Sequence, residues 1–379
     1  MEKRKQKKAA AAFMTVLYIL GVFAAVIYKI SLANHSFADF FRDTLGFGLR
    51  FVLINLTNYL PFSLGEMILF AFVPCMAAAV FRFILKIKRA RSKKTELLKG
   101  FCGFAAFLCG VLFIFVFTLG VSYGAVPVSA GIGLESRTLS AGELARAMEI
   151  LIDEVNFEAE NINDFHETGS TLLPYGLGEL NRRLNRAYIN LAEEHNFFKR
   201  IKVNPKPAVI SELLTRMHIT GIYSFYTGEA NININFPDYH LPFTAAHEMA
   251  HAMGIAREDE ANFTAFLVCL YSDDSYIRYS GLLKMTEYLE KPLFEADSEI
   301  YYDLMNGLSD VIKAEKRAYS IFFDKYRDSS AAQLSSAVND AYLKAQSGGR
   351  EEDQRHLGIE TYGLVRELAV LYLIDIYNK

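Results

Sequence analysis

The sequence predicts an α+β chain, mainly α, in which three N-terminal membrane helices precede a globular domain with a small sheet and one helix suited to holding a metal ion. Three observations carry this. Long uncharged runs are confined to residues 1–126, helical periodicity dominates 127–379 with one alternating stretch, and residues 244–254 read TAAHEMAHAMG. The expected domains are therefore a membrane domain over 1–126 and a globular domain over 127–379.

Hydrophobic residues make up 52% of the 379, which is high for a chain that lives wholly in water, so part of it is expected in a lipid bilayer. The formal net charge of −3, with no basic patch interleaved with aromatics outside the juxtamembrane loops, excludes a nucleic-acid partner. The four cysteines (Cys75, Cys102, Cys109 and Cys269) lack metal-site spacing and read as small buried hydrophobes. A domain of about 250 residues buries enough core to stand without disulfides. Nothing in the sequence sets the oligomeric state.

Residues 9–28 and 100–126 carry no charge and are long enough to cross about 30 Å as helices. Residues 64–85 make a third span, with Glu66 and Arg82 near its ends, where side chains snorkel, and Pro74 as a kink site. A cleaved signal peptide is the alternative for the first run, but its length and the further spans favour a retained helix. Residues 37–60 suit an interfacial helix or a re-entrant segment. Basic residues in MEKRKQKK and KIKRARSKK, against only Arg42 and Arg50 between the first two spans, place the N-terminus and the short basic loop in the cytoplasm. The globular domain is then extracytoplasmic, at the outer face of the plasma membrane in a bacterium.

In the globular part, Ser140 and Glu143 form a capping-box pattern ahead of an amphipathic helix, and 177–195 repeats apolar positions at helical spacing. VNPKPAVIS suits an extended edge strand. Over 231–236, Asn231, Asn233 and Asn235 alternate with Ile232, Ile234 and Phe236, the period of a half-buried strand. Such a strand is expected to present its amides to an extended peptide, or else to be an ordinary sheet edge with a polar face. Residues 272–293, 298–326 and 362–377 read as helices, and QSGGREEDQ as a flexible connector.

The chemistry is expected at 244–254. His247 and His251 are four residues apart, so their imidazoles share one helix face one turn apart and can grip one ion, Zn2+. Glu248 lies on the adjoining flank, where a carboxylate reaches a water on the metal as a base. Catalytic zinc takes a third protein ligand. Glu258, Asp259 and Glu260 follow Gly254, and Glu260 is favoured because it shares a helical stripe with Phe263 and Leu267. For stabilising a developing oxyanion, Tyr279 is the candidate, with Arg278, Tyr239, His240 and His218 as competitors.

Four stretches, PFSLGE, TGIYSFYTGEANIN, LPFTAAHEMAHAMGIAREDEANFTAF and RYSG, make most of the chain resemble an uncharacterised bacterial membrane family, domain of unknown function 3810. That family is taken as part of the zincin, or gluzincin-like, metallopeptidase clan. The resemblance implies a zincin-like fold, a membrane-anchored zinc-dependent peptidase-like domain, His247 and His251 as ligands and Glu248 as base. EANFTAF also looks like the third-ligand helix of such enzymes, in support of Glu260. The metzincin pattern departs, since its third histidine position is Arg257 here.

The expected function is zinc-dependent hydrolysis of a peptide or protein substrate by a membrane-anchored enzyme. The alternative is a zinc-containing peptide-binding sensor or assembly factor without turnover, against which an intact Glu248 argues. An intramembrane protease is disfavoured, because the metal helix carries charge, follows Pro237 and Pro242, and is too short to span.

Overall fold

A computed structural model describes residues 2–327, 329, 331–333 and 361–377; the connector QSGGREEDQ lies outside the described residues. The chain divides into two compact units, residues 1–126 together with Ser224–Glu229, and residues 127–223 together with 230–379.

The first unit is helical. It comprises α1 (Glu2–Ala33), α2 (His35–Phe41), a π turn (Arg42–Gly46), α3 (Phe47–Thr57), α4 (Leu64–Arg89), α5 (Lys93–Thr118) and a short 3-10 turn (Gly120–Gly124). Three stretches, Lys8–Ala33, Leu64–Arg89 and Lys93–Thr118, are long and apolar enough to cross a membrane. Ser63 and Ser92 cap α4 and α5, accepting from the amides of Glu66 and Thr95. Gly21 lets α1 approach α5: a β-carbon there would lie 2.4 Å from Cys109 Cβ, the small-residue contact that membrane helices use. The segment 37–60 is helical, and its Arg50 is buried rather than a surface charge. Its guanidinium donates to the carbonyls of Thr118 (3.0 Å) and Arg42 (3.1 Å), closing the C-terminus of α5.

The six residues Ser224–Glu229 join this unit for a local reason. The Glu229 carboxylate accepts from the amides of Leu64 (2.9 Å) and Gly65 (2.7 Å), so an acid caps the positive end of α4. Gly65 leaves room for the contact, since a β-carbon there would meet Ser224 Oγ at 2.7 Å, and Tyr226 donates to the Gly65 carbonyl. SLGE and YTGE are thus two halves of one contact.

The second unit holds α6 (Val128–Gly131), α7 (Ala141–Ala159), α8 (Leu177–Glu194), β1 (Lys206–Pro207), α9 (Ser211–Arg216), β2 (Gly221–Ser224) and β3 (Glu229–Ile232) apart from their end residues Ser224 and Glu229, and α10 (His240–Ala252), α11 (Glu258–Leu270), α12 (Ser275–Ala296), α13 (Ser298–Asn306), α14 (Asp310–Asp324) and α15 (Thr361–Tyr377). The capping box forms, with Ser140 Oγ and the Glu143 carboxylate each accepting from the other's amide. Helix α10 is buried by α11 and α12, with Ala245, Ala246, Met249, Ala250, Phe263, Phe266 and Leu283 excluded from solvent. Alanines on α10 allow this close packing.

The sheet has the order β1-β3-β2, with β1 parallel to β3 and Lys206 opposite Asn231. VNPKPAVIS therefore supplies a short edge strand. β3 is central and β2 lies at the other edge, which corrects the expected role of the asparagines. Asn231 and Asn233 are buried. Asn231 donates to the Ile222 carbonyl, Asn233 to Thr215 Oγ1 and the Ile219 carbonyl, and Asn235 to Glu212, Thr215 and Tyr326. Ile234 is the exposed residue of the run. The amide face turns inward because neighbouring loops offer carbonyls and hydroxyls that satisfy it, and a central strand has no free edge for a peptide.

At the start of α10, His240 is buried among the rings of Tyr239, Tyr319 and Phe236. Burial, helped by the Lys284 charge and opposed by Glu287, pushes it down to about 3. The unfolded chain then binds a proton that the folded chain refuses between about pH 6.5 and 3. Stability from this group is intact above pH 6.5 and is lost as pH falls, by up to about 1.4 kcal/mol per pH unit. Thermal melts of the full chain between pH 7 and 5 are expected to show the decline, with a shallower slope in His240→Phe; equal slopes would remove His240 from this role.

Candidate metal centre

Helix α10 presents His247 and His251 one turn apart, and its end brings up a third donor. Gly254 adopts φ +98°, outside the range other residues favour, and closes a Schellman motif: its amide donates to His251 O (2.9 Å) and that of Ile255 to Ala250 O (3.1 Å). The turned chain does two things. The Ile255 carbonyl accepts from His251 Nδ1 at 2.8 Å, which puts the proton on Nδ1 and leaves Nε2 as a lone-pair donor. Three residues further on, α11 begins at Glu258, whose carboxylate faces back onto both rings.

The distances are 3.1 Å between His247 Nε2 and His251 Nε2, 3.2 Å from His247 Nε2 to Glu258 Oε2, and 3.5 Å from His251 Nε2 to Glu258 Oε1. Four ligands at about 2.0–2.1 Å around zinc are separated by about 3.3 Å along a tetrahedron edge. The donor set fits that group. Among the described residues, this is the cluster of three or more histidine, cysteine, aspartate or glutamate side chains that converges closely enough for one ion. The Glu258 side chain is 41% exposed, so the cluster opens to solvent on that side.

The structure thus brings Glu258, rather than Glu260, to the histidines. Glu260 is buried, 3.9 Å from Arg257. The apolar stripe orients α11 against the core, but the first residue of the helix sits nearest the preceding turn and faces the C-terminus of α10. Charge follows the geometry. Burial pushes His251 down, but the Glu258 charge and hydrogen bond outweigh it and hold the imidazole up, at about 9, so that a metal ion binding at Nε2 would displace a proton from it. For the partly exposed Glu258, desolvation is outweighed by the charges and hydrogen bonds of the two imidazoles, which keep its carboxyl well below the usual range.

Glu248 is buried, and Oε2 of its carboxylate has no hydrogen-bond partner among the described residues. Burial raises it to about 7, against the opposing charges of His247 and His251. Strand β2 forms the wall beside it. Gly221 packs directly on this carboxylate, where a β-carbon would lie 2.5 Å from Oε1 and 2.7 Å from Cγ. Two residues on, the Tyr223 ring lies 6.3 Å from that of His251 at an interplanar angle of 30°. Ile222 between them is exposed. Gly221→Ala is expected to displace the Glu248 carboxylate while leaving the histidines in place. Any hydrolytic rate should then fall about 10²-fold, the effect of misplacing a reacting group by an ångström, with metal content unchanged; an unchanged rate would show that the carboxylate tolerates the shift.

The expected oxyanion candidates are committed elsewhere. Tyr279 is fully buried and donates to Glu315 (3.4 Å), beside Thr171 and Tyr276, so it is not brought to the histidine pair. Arg278 makes a two-pronged pair with Glu158, Tyr239 donates to Glu287, and His218 Nε2 meets the Tyr326 carbonyl. Sequence reasoning missed Gly221 and Tyr223, and set Glu258 aside in favour of Glu260. The signal for the first two was their spacing of two, which places them on one face of a strand.

Fold and site together define a mainly helical protein with three membrane-length apolar helices and a globular unit that gathers two histidines and a carboxylate. The chain belongs to the family described as Protein of unknown function (DUF3810), whose model matches residues 47–370, a range that includes α4, α5 and the whole cluster. No curated protein and no solved structure matches the chain.

Proposed function

We propose that the protein is a membrane-anchored, zinc-dependent, zincin-like peptidase whose globular unit faces the extracytoplasmic side. The observation that carries this is the set of three donor atoms 3.1–3.5 Å apart beside a buried carboxylate with an unengaged oxygen. His247 Nε2, His251 Nε2 and the Glu258 carboxylate would hold the ion. Zinc, when bound, supplies a Lewis acid that polarises a carbonyl and acidifies a water.

The remaining steps belong to the chain. Glu248, raised towards neutrality by burial, takes the proton of the attacking water at Oε2 and returns it to the leaving amine. Gly221 lets the carboxylate sit where it does, and the His251–Ile255 bond holds one imidazole in its donor tautomer. β2 is the edge of the sheet, with Gly221 and Tyr223 directed at the cluster, so an extended peptide pairs with β2 and lies across the donors. Tyr223 takes the oxyanion-facing role in place of Tyr279.

The test is cleavage of a mixed peptide library by the full chain in detergent, before and after a chelator and after zinc is restored. Cleavage that disappears with the chelator and returns with zinc supports the peptidase. Bound zinc with no cleavage of any peptide would turn the assignment towards a peptide-binding sensor or assembly factor.

A further inference from the structure

The turn between α4 and α5 carries a second feature, independent of the metal cluster. An open cleft of about 480 Å³ is lined by Arg82, Leu85, Lys86, Arg89 and Ala90 of α4 and its C-cap and by Glu96 of α5. Arg82, Lys86 and Arg89 follow the spacing i, i+4, i+7, so the three cations share one helix face. Glu96 is engaged by two lysines, Lys86 at 2.8 Å and Lys99 at 2.6 Å, which hold it against the wall. Among the described residues no carboxylate lies within ion-pair distance of Arg82 or Arg89. The lining has three cations against one anion, and that anion is shared with a further lysine outside the cleft.

We propose that this cleft holds the phosphate of an anionic phospholipid headgroup. Two guanidinium forks and an ammonium match the several oxygens of a phosphate better than the two of a carboxylate. The cleft lies at the end of two membrane-length helices, the level at which headgroups reside, and Leu85 gives it an apolar wall for the glycerol end of a lipid. The same residues form the side that the basic loop marks as cytoplasmic, where anionic lipid gathers juxtamembrane cations.

The test uses the full chain in detergent micelles doped with phosphatidylglycerol or phosphatidylcholine, with retained lipid counted by native mass spectrometry. Arg82→Gln/Arg89→Gln removes two cations from the cleft; Lys93→Gln/Lys94→Gln removes two exposed cations just beyond it. The wild type and the Lys93/Lys94 variant are expected to retain phosphatidylglycerol over phosphatidylcholine by about ten-fold or more, and the Arg82/Arg89 variant by less than about two-fold. Equal losses in both variants would mean only diffuse attraction to the basic loop, and no preference in the wild type would mean no site; either overturns the proposal. In a third arm, inorganic phosphate is added to lipid-loaded protein. Displacement of the lipid at millimolar phosphate would show a soluble phosphate site and overturn the lipid assignment, and retention sustains it.

Discussion

Glu258→Gln is expected to lose zinc, while Glu260→Gln keeps it. The amide retains the shape of the carboxylate but removes the negative charge and most of the donor strength, leaving two imidazoles to hold a dication. Loss of a partner that only orients a zinc ligand costs 10–100-fold in affinity, so loss of a ligand itself should cost about 100-fold or more. The contrast is sharpened by position: Glu258 lies 3.2 and 3.5 Å from the two ring nitrogens, whereas Glu260 stands beside Arg257. Metal content after dialysis against a competing chelator reads the effect directly. Thermal melts read it again, because a ligand at about 100 times its Kd stabilises the folded chain by about 2.7 kcal/mol. The wild type and Glu260→Gln should show that zinc-dependent rise in Tm, and Glu258→Gln should not. Zinc retained in Glu258→Gln and lost in Glu260→Gln would restore the ligand that the apolar stripe suggested.

The reason the stripe misled is specific. Periodicity tells which residues of α11 face the core, and Phe263, Ala265, Phe266 and Leu267 do. A ligand after a tight turn is chosen by the turn. Gly254 at φ +98° sets the direction in which the chain leaves α10, and that angle is written in the sequence only as a glycine. The asparagine run shows a similar limit: alternation reveals two faces but not which is buried. Here three amides find backbone carbonyls and hydroxyls inside, and Ile234 is left outside. Tyr279 was one of 21 tyrosines, and a short RYSG context gave no means of seeing Glu315 across from it. What was legible depended on local rules with fixed geometry. The Ser140–Glu143 box, the three apolar helices and the shared face of His247 and His251 each need only a helix to come true.

Glu248→Gln tests the remaining step, and its expected effect is the largest. The substitution keeps volume and packing against Gly221 but removes a carboxylate beside the cluster that is both buried and raised to about 7. A carboxylate poised there shares a proton readily with water, and an amide does not. General-base assistance is worth 10²–10⁴-fold, so the cleavage rate should fall by about that factor. Zinc content should not change, because Glu248 is outside the group of three donors. Nor should stability fall, since the substitution removes a carboxylate that burial already disfavours in its charged form. This pairing of a lost rate with retained metal separates a base from a ligand. If zinc left together with activity, Glu248 would be holding the ion or the helix. If the rate stayed within about ten-fold of wild type, proton transfer would have to run through another group, and Glu248 would not be the base.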